Sequence, residues 1–284
     1  DEGTYLYDAW RVGLGELPYR DFFLSQAPLG IGLGAAVLNV FGPSVWAARA
    51  LSVVLILAAA LLVGFAARRY FGSPPLVSLL AATVFLFTKH VYFLGRTFMP
   101  DVPMVFFSTS ALVFALKSET AAARRKSSMS VFLFGIMAGL ATLAKLNAVL
   151  LLAGYGLFLL WSAVRRLDRI SAALRKGSLA AAGFITAFGV AFGIMLAAVP
   201  GTYAGTIGYH LAKEKAAEPL LALVLDRLGT FVGNHNYGLI PIAAAGMILV
   251  PFLKDRRRAL TAALLFATLA PIFQAVSKIP SAGA

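Results

Sequence analysis

Carboxylates crowd the start of this 284-residue chain. Five of its twelve acidic residues lie within the first 21 positions, namely Asp1, Glu2, Asp8, Glu16 and Asp21. A carboxylate beside a bound alcohol can remove the hydroxyl proton and so make the oxygen a nucleophile. Most of the sequence after this stretch is apolar, so these acids stand apart from the rest of the chain. Their role depends on which elements hold them and on which side of a membrane they lie.

Three further polar segments interrupt the apolar sequence, and their candidate functional residues are Arg96, Asp101, Lys145, His210 and His235. Cations stabilise a departing phosphate without any proton transfer. The planar fork of an arginine binds two phosphate oxygens at once. The two histidines fall in the longest polar segment and are candidates for contact with a substrate there. Together with the first acids, these residues could form a site that combines a base with phosphate-binding groups.

Each candidate also has a purely structural interpretation. Asp1 or Glu2 can cap a surface helix and complement its dipole. Asp101 follows Pro100 at a predicted helix start, where an acid commonly serves as a cap. Lys145 can extend its ammonium group to the membrane interface. The combination of these residues indicates function more strongly than any one of them.

The composition is typical of a protein that is embedded in a lipid bilayer. Its mean hydropathy is +0.83, and only 13% of its residues are charged. A bilayer offers no water to satisfy backbone groups, so a crossing segment must be a helix of about 20 mostly apolar residues. The sequence therefore predicts an all-α, polytopic membrane protein. It has no cysteine, which excludes disulfides and thiolate chemistry.

Nine apolar segments are long enough to be considered as membrane elements: 28–42, 45–67, 75–94, 101–116, 130–144, 147–164, 178–199, 238–253 and 259–276. Four basic clusters separate them: Arg68/Arg69, Lys117 with Arg124–Lys126, Arg165–Lys176 and Lys254–Arg258. Placing all four clusters in the cytoplasm satisfies the positive-inside rule with strict alternation from residue 45 onward. The high net charge of +13 thus follows from topology, and nucleic acid is not an expected partner.

This alternation predicts the organisation of a single domain over residues 1–284. Its parts are an outer loop at 1–27, a juxtamembrane helix or short span at 28–42, a transmembrane core at 45–199, an outer loop at 200–237 and two spans within 238–276. The segment 28–42 is too short for a full crossing between two outer positions, so it should lie in the outer leaflet. The alternative is that 28–42 is a short true span, in which case one basic cluster breaks the positive-inside rule.

The first outer loop should begin with an amphipathic helix. Leu6, Trp10 and Leu14 recur at helical spacing, while Thr4 and Asp8 share another face. The stretch "GELPYRDF" then supplies the glycine and proline that end a helix. We therefore expect a helix on the membrane surface that carries the first acids.

Four stretches, in order, resemble those of GT-C glycosyltransferases, in the branch of protein O-mannosyltransferases and lipid A aminoarabinose transferases. They are "DEGTYLYDAWRVGLGELPYRDFFLSQAPLG", "FGPSVWAARALSVV", "GRTFMPDVPMVFF" and "GLATLAKLNAVLLL". The resemblance covers residues 1–165 well and the remainder only in hydropathy. It implies a GT-C transmembrane domain, of which this chain is expected to be a fragment lacking the first transmembrane helix and the C-terminal part.

The resemblance also implies an activity and roles for residues. Such enzymes move a sugar, with inversion, from a polyprenyl-phosphate donor to an extracytoplasmic acceptor, which here can be a protein, a lipid or a glycan. Matching motifs makes Asp1 the catalytic base, Glu2 its neighbour, Asp101 a second acid, and Arg96 and Lys145 contacts of the donor phosphate. The expected location is the plasma (inner) membrane, with the site on its outer face. No cofactor or metal site is implied, and a divalent cation stays open.

Two other classes of function compete with a hexosyl- or mannosyltransferase. A transporter or flippase for a lipid-linked sugar would use the same outer cations to hold a phosphate. Transporters place ionisable groups near the bilayer midplane and often contain paired repeats, and the sequence has neither feature. A structural membrane subunit would tolerate neutralisation of the outer acids. These contrasts favour the enzyme.

Overall fold

A computed structural model describes residues 2–120 and 124–209 of the chain. Asp1, His210, His235 and the predicted spans 238–253 and 259–276 lie outside the described residues. Within the described ranges the regular structure is helical, and no strand is formed. The all-α prediction is therefore confirmed.

The helices are α1 (Glu2–Gly13), α2 (Leu29–Phe41), α3 (Val45–Phe71), α4 (Pro75–Phe87), α5 (Lys89–Leu94), α6 (Asp101–Thr120), α7 (Arg124–Ala144), α8 (Leu150–Val164), α9 (Ile170–Phe184), α10 (Val190–Ala198) and α11 (Gly201–Tyr203). A 3₁₀ turn, Leu146–Val149, leads into α8. A π turn, Ile185–Gly189, joins α9 to α10. A second π turn, Ala204–Gly208, comes after α11, so the predicted outer loop at 200–237 begins as helix.

Five helical stretches in the described part are long and apolar enough to cross a membrane: Val45–Phe71, Asp101–Thr120, Arg125–Ala144, Leu146–Val164 and Ile170–Ala198. The polytopic prediction is therefore confirmed. With 13 residues, α2 is about 20 Å long at 1.5 Å per residue, shorter than a hydrocarbon core of about 30 Å.

The predicted span 75–94 differs from a single helix. It is divided at Thr88, whose ψ of 125° takes the backbone out of the helical region. The Thr88 hydroxyl donates a hydrogen bond to the carbonyl of Val84, which satisfies one of the acceptors at the end of α4. The short helix α5, which comes next, carries His90 at a different angle from the helix before it. Hydropathy alone could not show this break because apolar residues continue through it.

The core lies where α7 packs between α6 and α9. Phe134 on α7 is fully buried, and its ring centroid lies 4.5 Å from that of Tyr155 on α8. Gly135 allows α7 and α9 to approach closely, because a Cβ atom there would overlap the carbonyl oxygen of Ala180. Small residues at such crossings let van der Waals packing hold membrane helices together.

Ion pairs among the described residues gather at two opposite ends of the helices. At one end, Lys176 on α9 binds Glu119 at 2.7 Å and Asp168 at 3.3 Å. This end also carries the three described basic clusters, which were predicted to be cytoplasmic. At the other end lie the start of α1, the start of α6 and the end of α7, which were predicted to be extracytoplasmic. We call these the basic end and the acidic end.

The loop after α1 is folded by its own charges. Arg11 binds Glu16, and its guanidinium also donates a hydrogen bond to the carbonyl oxygen of Asp21 at 3.1 Å. Asp21 accepts hydrogen bonds from Arg20 and from the backbone N–H of Leu17. These two donors, Arg20 foremost, lower the pKa of Asp21 to about 2. Two of the five acids in the opening stretch therefore have a structural role.

Candidate functional site

Glu2 anchors the start of α1 at the acidic end. Its carboxylate accepts two hydrogen bonds from the guanidinium of Arg49 on α3, at 2.9 and 2.7 Å. It also accepts a hydrogen bond from the backbone N–H of Phe98, between α5 and α6, at 2.8 Å. The paired fork geometry fixes orientation as well as distance. Glu2 thus ties together three parts of the chain that are 47 and 96 residues apart.

These contacts change what Glu2 can do chemically. The hydrogen bonds from Arg49, together with that from Phe98, outweigh burial and lower the pKa of Glu2. A carboxylate stabilised in this way accepts a proton less readily, so it is a poor general base. Its position fits the support of a neighbouring residue better than proton transfer. Glu2 immediately follows Asp1 in the chain.

Asp101 and Lys145 form an ion pair at the same end. The Lys145 Nζ atom lies 2.6 Å from Asp101 Oδ1, and the two side chains are 18% and 13% exposed. Asp101 is the first residue of α6, where the positive end of the helix dipole favours an acid. Lys145 directly follows α7 in extended conformation, with φ −153° and ψ 123°. The structure thus brings together two residues that the sequence placed in separate motifs.

Tyr5 connects the acidic face of α1 with this pair. Burial, followed by the charges of Asp101 and Asp8, raises the pKa of the Tyr5 phenol. The phenol therefore lies within electrostatic reach of both carboxylates. The charges of Asp101 and Lys145 both act on the imidazole of His90 on α5. Acidic, basic and hydroxyl groups from α1, α5, α6 and the end of α7 thus surround one region.

Gly34 on α2 allows α1 to pack over this region. A Cβ atom at that position would overlap the ring of Phe98 and would lie 3.1 Å from the Cβ of Ala9 on α1. Ala9 is fully buried at this contact. α1 is therefore held on one side by Glu2 and along its length by close packing against α2.

A model of the dolichyl-phosphate-mannose-protein mannosyltransferase family matches residues 33–224, which is more than half of the chain. The chain belongs to this family. It is therefore a multi-pass membrane glycosyltransferase of the GT-C superfamily. No curated protein and no solved structure matches the chain. The resemblance identified from the four motifs is confirmed at the level of the family.

The family match covers one part of the candidate site. Arg49, Asp101 and Lys145 fall within the matched residues, whereas Asp1 and Glu2 precede them. The pairing of Glu2 with Arg49 joins the unmatched start of the mannosyltransferase to its matched part.

Arg96 has a different position from the other predicted phosphate contact. Its guanidinium lies over the ring of Tyr92, 5.3 Å from the ring centroid, and it is exposed. Tyr92 in turn stacks on Phe87 at 6.2 Å. In the described part of the chain, Arg96 makes no contact with Asp101 or Lys145. Its role as a phosphate ligand stays a prediction.

On the surface helix α1, two apolar side chains are exposed and one acid is buried. Trp10 and Leu14 on its apolar face are 41% and 62% exposed, which suits contact with lipid in a membrane protein. Asp8, on the polar face, is only 6% exposed and points into the protein. α1 packs against α2, and Asp8 and Glu2 are directed to the protein, whereas Thr4 on the same polar face is exposed.

Sequence reasoning missed Arg49, Tyr5, Asp8 and His90 as site residues. Arg49 had a usable signal, because it is the only charged residue between positions 45 and 67. A charge in an apolar span is expensive and needs a partner. Tyr5 and Asp8 carried no such signal, since an aromatic and an acid are ordinary residues on a surface helix.

The described residues contain no group of three or more His, Asp or Glu side chains that could hold a metal ion. The described residues at the acidic end offer carboxylates, the Lys145 ammonium group, the Arg49 guanidinium, the His90 imidazole and the Tyr5 phenol. Carboxylates can accept protons, and the ammonium group can bind a phosphate oxygen.

Proposed function

We propose that this mannosyltransferase moves mannose from a polyprenyl-phosphate donor to a hydroxyl group of an acceptor at the extracytoplasmic face. The family match supports the donor class and the sugar. The observation that carries the assignment of the site is the Asp101–Lys145 pair beside the Glu2-anchored start of α1. These groups lie at the end of the helices opposite the basic clusters, which favours the outer face.

In the proposed reaction, Asp1 acts as the base. Its carboxylate takes the proton of the acceptor hydroxyl, and the acceptor oxygen forms a bond to C1 of the sugar. The bond between C1 and the phosphate oxygen breaks, and its electron pair leaves with the polyprenyl phosphate. Attack from the face opposite the leaving group inverts the configuration at C1. Glu2, held by Arg49 and by the backbone N–H of Phe98, fixes the first turn of α1.

The leaving phosphate gains negative charge as the bond breaks, and Lys145 is the cation placed to stabilise it. Asp101 holds the Lys145 ammonium group at 2.6 Å. An ammonium group has three donors, so Lys145 can keep this contact and also bind a phosphate oxygen. In this proposal Asp101 orients the lysine, and the exposed Arg96 is a second ligand of the phosphate. Such preorganised charges lower the barrier because they need no rearrangement during the reaction.

The proposal is tested with the purified full-length protein, polyprenyl-phosphate [³H]mannose and three acceptors: a Ser/Thr-rich peptide, a lipid extract and an oligosaccharide. We expect one of these acceptors to gain mannose while an equal amount of polyprenyl phosphate is released. Lys145→Met should abolish transfer. The matched control Lys176→Met removes a paired lysine at the basic end and should keep it.

A transporter would give a different result. Movement of the intact donor across reconstituted vesicles, with no release of polyprenyl phosphate in the presence of any acceptor, would contradict the proposed reaction. It would favour the flippase alternative.

A further inference from the structure

Asp8 is a buried carboxylate that the proposed reaction does not use. It lies in the seventh position of the 12-residue helix α1, so it does not cap the helix. Only 6% of it is exposed. In the described part of the chain its side chain makes no hydrogen bond. A nearly buried carboxylate without a donor among the described residues can accept hydrogen bonds from a ligand that reaches it.

The nearest cation does not satisfy Asp8. Arg11 influences Asp8 only through its charge. The donors of Arg11 are directed elsewhere, to the Glu16 carboxylate and to the carbonyl oxygen of Asp21. Its guanidinium also lies over the ring of Phe22, 4.5 Å from the centroid. The hydrogen-bonding capacity of the Asp8 carboxylate is therefore left for something other than Arg11.

The position of Asp8 relates it to the candidate site. Glu2, Tyr5 and Asp8 succeed one another at three-residue spacing, so neighbours in this series lie on adjoining parts of one face of α1. Tyr5 is influenced by both Asp8 and Asp101. Asp8 thus ends a polar stripe that begins at Glu2, which binds the backbone N–H of Phe98, three residues before Asp101.

We propose that Asp8 accepts hydrogen bonds from hydroxyl groups of the transferred sugar, with Tyr5 beside it as a second polar contact. This inference rests on the proposed function. A carboxylate offers about four acceptor positions, which suits a sugar ring that presents several hydroxyl donors. It repels a phosphate, so Asp8 contacts the sugar part of the donor and Lys145 contacts the phosphate part.

A metal ion fits these surroundings less well. Asp8 is under the influence of the Arg11 charge, and Asp101 already holds Lys145. A divalent cation placed between the two carboxylates would therefore meet two positive groups. A neutral, polyhydroxylated ring meets no such repulsion.

The test compares two lipids, polyprenyl-phosphate mannose and sugar-free polyprenyl phosphate, in binding to the full-length protein in nanodiscs by calorimetry. The variants are Asp8→Asn and Asp8→Ala, and the matched control is Glu16→Gln, the same acid-to-amide change in the loop after α1. Loss of a hydrogen bond to a charged group corresponds to about 10- to 100-fold in affinity. We expect Asp8→Asn and Asp8→Ala to weaken binding of the mannosylated lipid by about that factor and to leave binding of the sugar-free lipid unchanged.

Five outcomes would overturn the proposal. If both Asp8 variants bind the two lipids like the wild type, Asp8 does not contact the sugar. If they weaken both lipids equally, or if Asp8→Asn loses its fold by size exclusion and melting, its role is structural. If the Asp8 effect disappears on chelation of divalent cations, a cation stands between Asp8 and its ligand. If the wild type binds neither lipid, the proposed function itself fails, and this inference fails with it.

Discussion

Replacing Lys145 by methionine should destabilise the acidic end by an amount that the geometry allows us to estimate. The Asp101–Lys145 pair is short, at 2.6 Å, and both side chains are mostly buried, at 18% and 13% exposed. A hydrogen bond between charged groups contributes about 1.5–3 kcal/mol. Removal of the lysine also leaves the Asp101 carboxylate without its counter-charge. The dipole at the N-terminus of α6 offsets this free-energy cost by about 0.3–1 kcal/mol. We therefore expect Lys145→Met to lower the free energy of unfolding by about 2 kcal/mol.

The assay is a double-mutant cycle with Lys145→Met, Asp101→Asn and both changes together. Thermal unfolding followed by intrinsic fluorescence suits this chain, because its three tryptophans include Trp10 on α1 and Trp46 on α3. A loss of about 2 kcal/mol corresponds to about 4–8 °C in melting temperature for a protein of this size. The double variant should lose less than the sum of the two single variants, because the charges compensate each other. Strict additivity, or a Lys145→Met shift below about 1 °C, would refute the interpretation of this pair.

Three other substitutions probe the remaining buried charges. Burial raises the pKa of Asp8 above its ordinary 3.8, so the folded chain binds that proton more tightly than the unfolded chain and loses stability as the pH rises. Asp8→Asn should thus melt higher than the wild type at about pH 7 and lose this advantage towards about pH 4, and an advantage independent of pH would contradict this cause. Arg49→Gln should release the start of α1, seen as faster amide hydrogen exchange over residues 3–8, whereas exchange unchanged from the wild type would show that Glu2 does not anchor the helix. Lys176→Met leaves the nearly buried Glu119 without this partner, so it should lower the melting temperature and keep turnover per folded protein, and a loss of turnover would connect the basic end with the reaction.

The fold was largely predictable from the sequence because hydropathy and the positive-inside rule act on whole segments. All five described spans were located from apolar runs. The break at Thr88 was not, since the residues on both sides of it are apolar. The segment 28–42 forms a helix of 13 residues, and its placement as a juxtamembrane helix or a short span stays a prediction.

The candidate site was predictable where charge stands out from an apolar background. Asp101 and Lys145 were selected separately, and the structure pairs them. The Glu2–Arg49 contact spans 47 residues and depends on how α1 packs on α3, which one sequence does not reveal. The burial of Asp8 depends on how α1 packs in the folded chain, which helical periodicity alone does not reveal.

Asp1 is the residue on which the proposed chemistry depends most, and Asp1→Asn is the most direct test of it. Asparagine keeps the size and most of the capping ability of aspartate but is not a base. A general base contributes about 10²–10⁴-fold to a rate. The measurement is the turnover number for mannose transfer from polyprenyl-phosphate mannose by the full-length protein, with the melting temperature recorded on the same samples. We expect Asp1→Asn to lower turnover by at least about 100-fold while the melting temperature stays the same. Turnover close to that of the wild type would contradict the account and would move the base to another carboxylate at the acidic end.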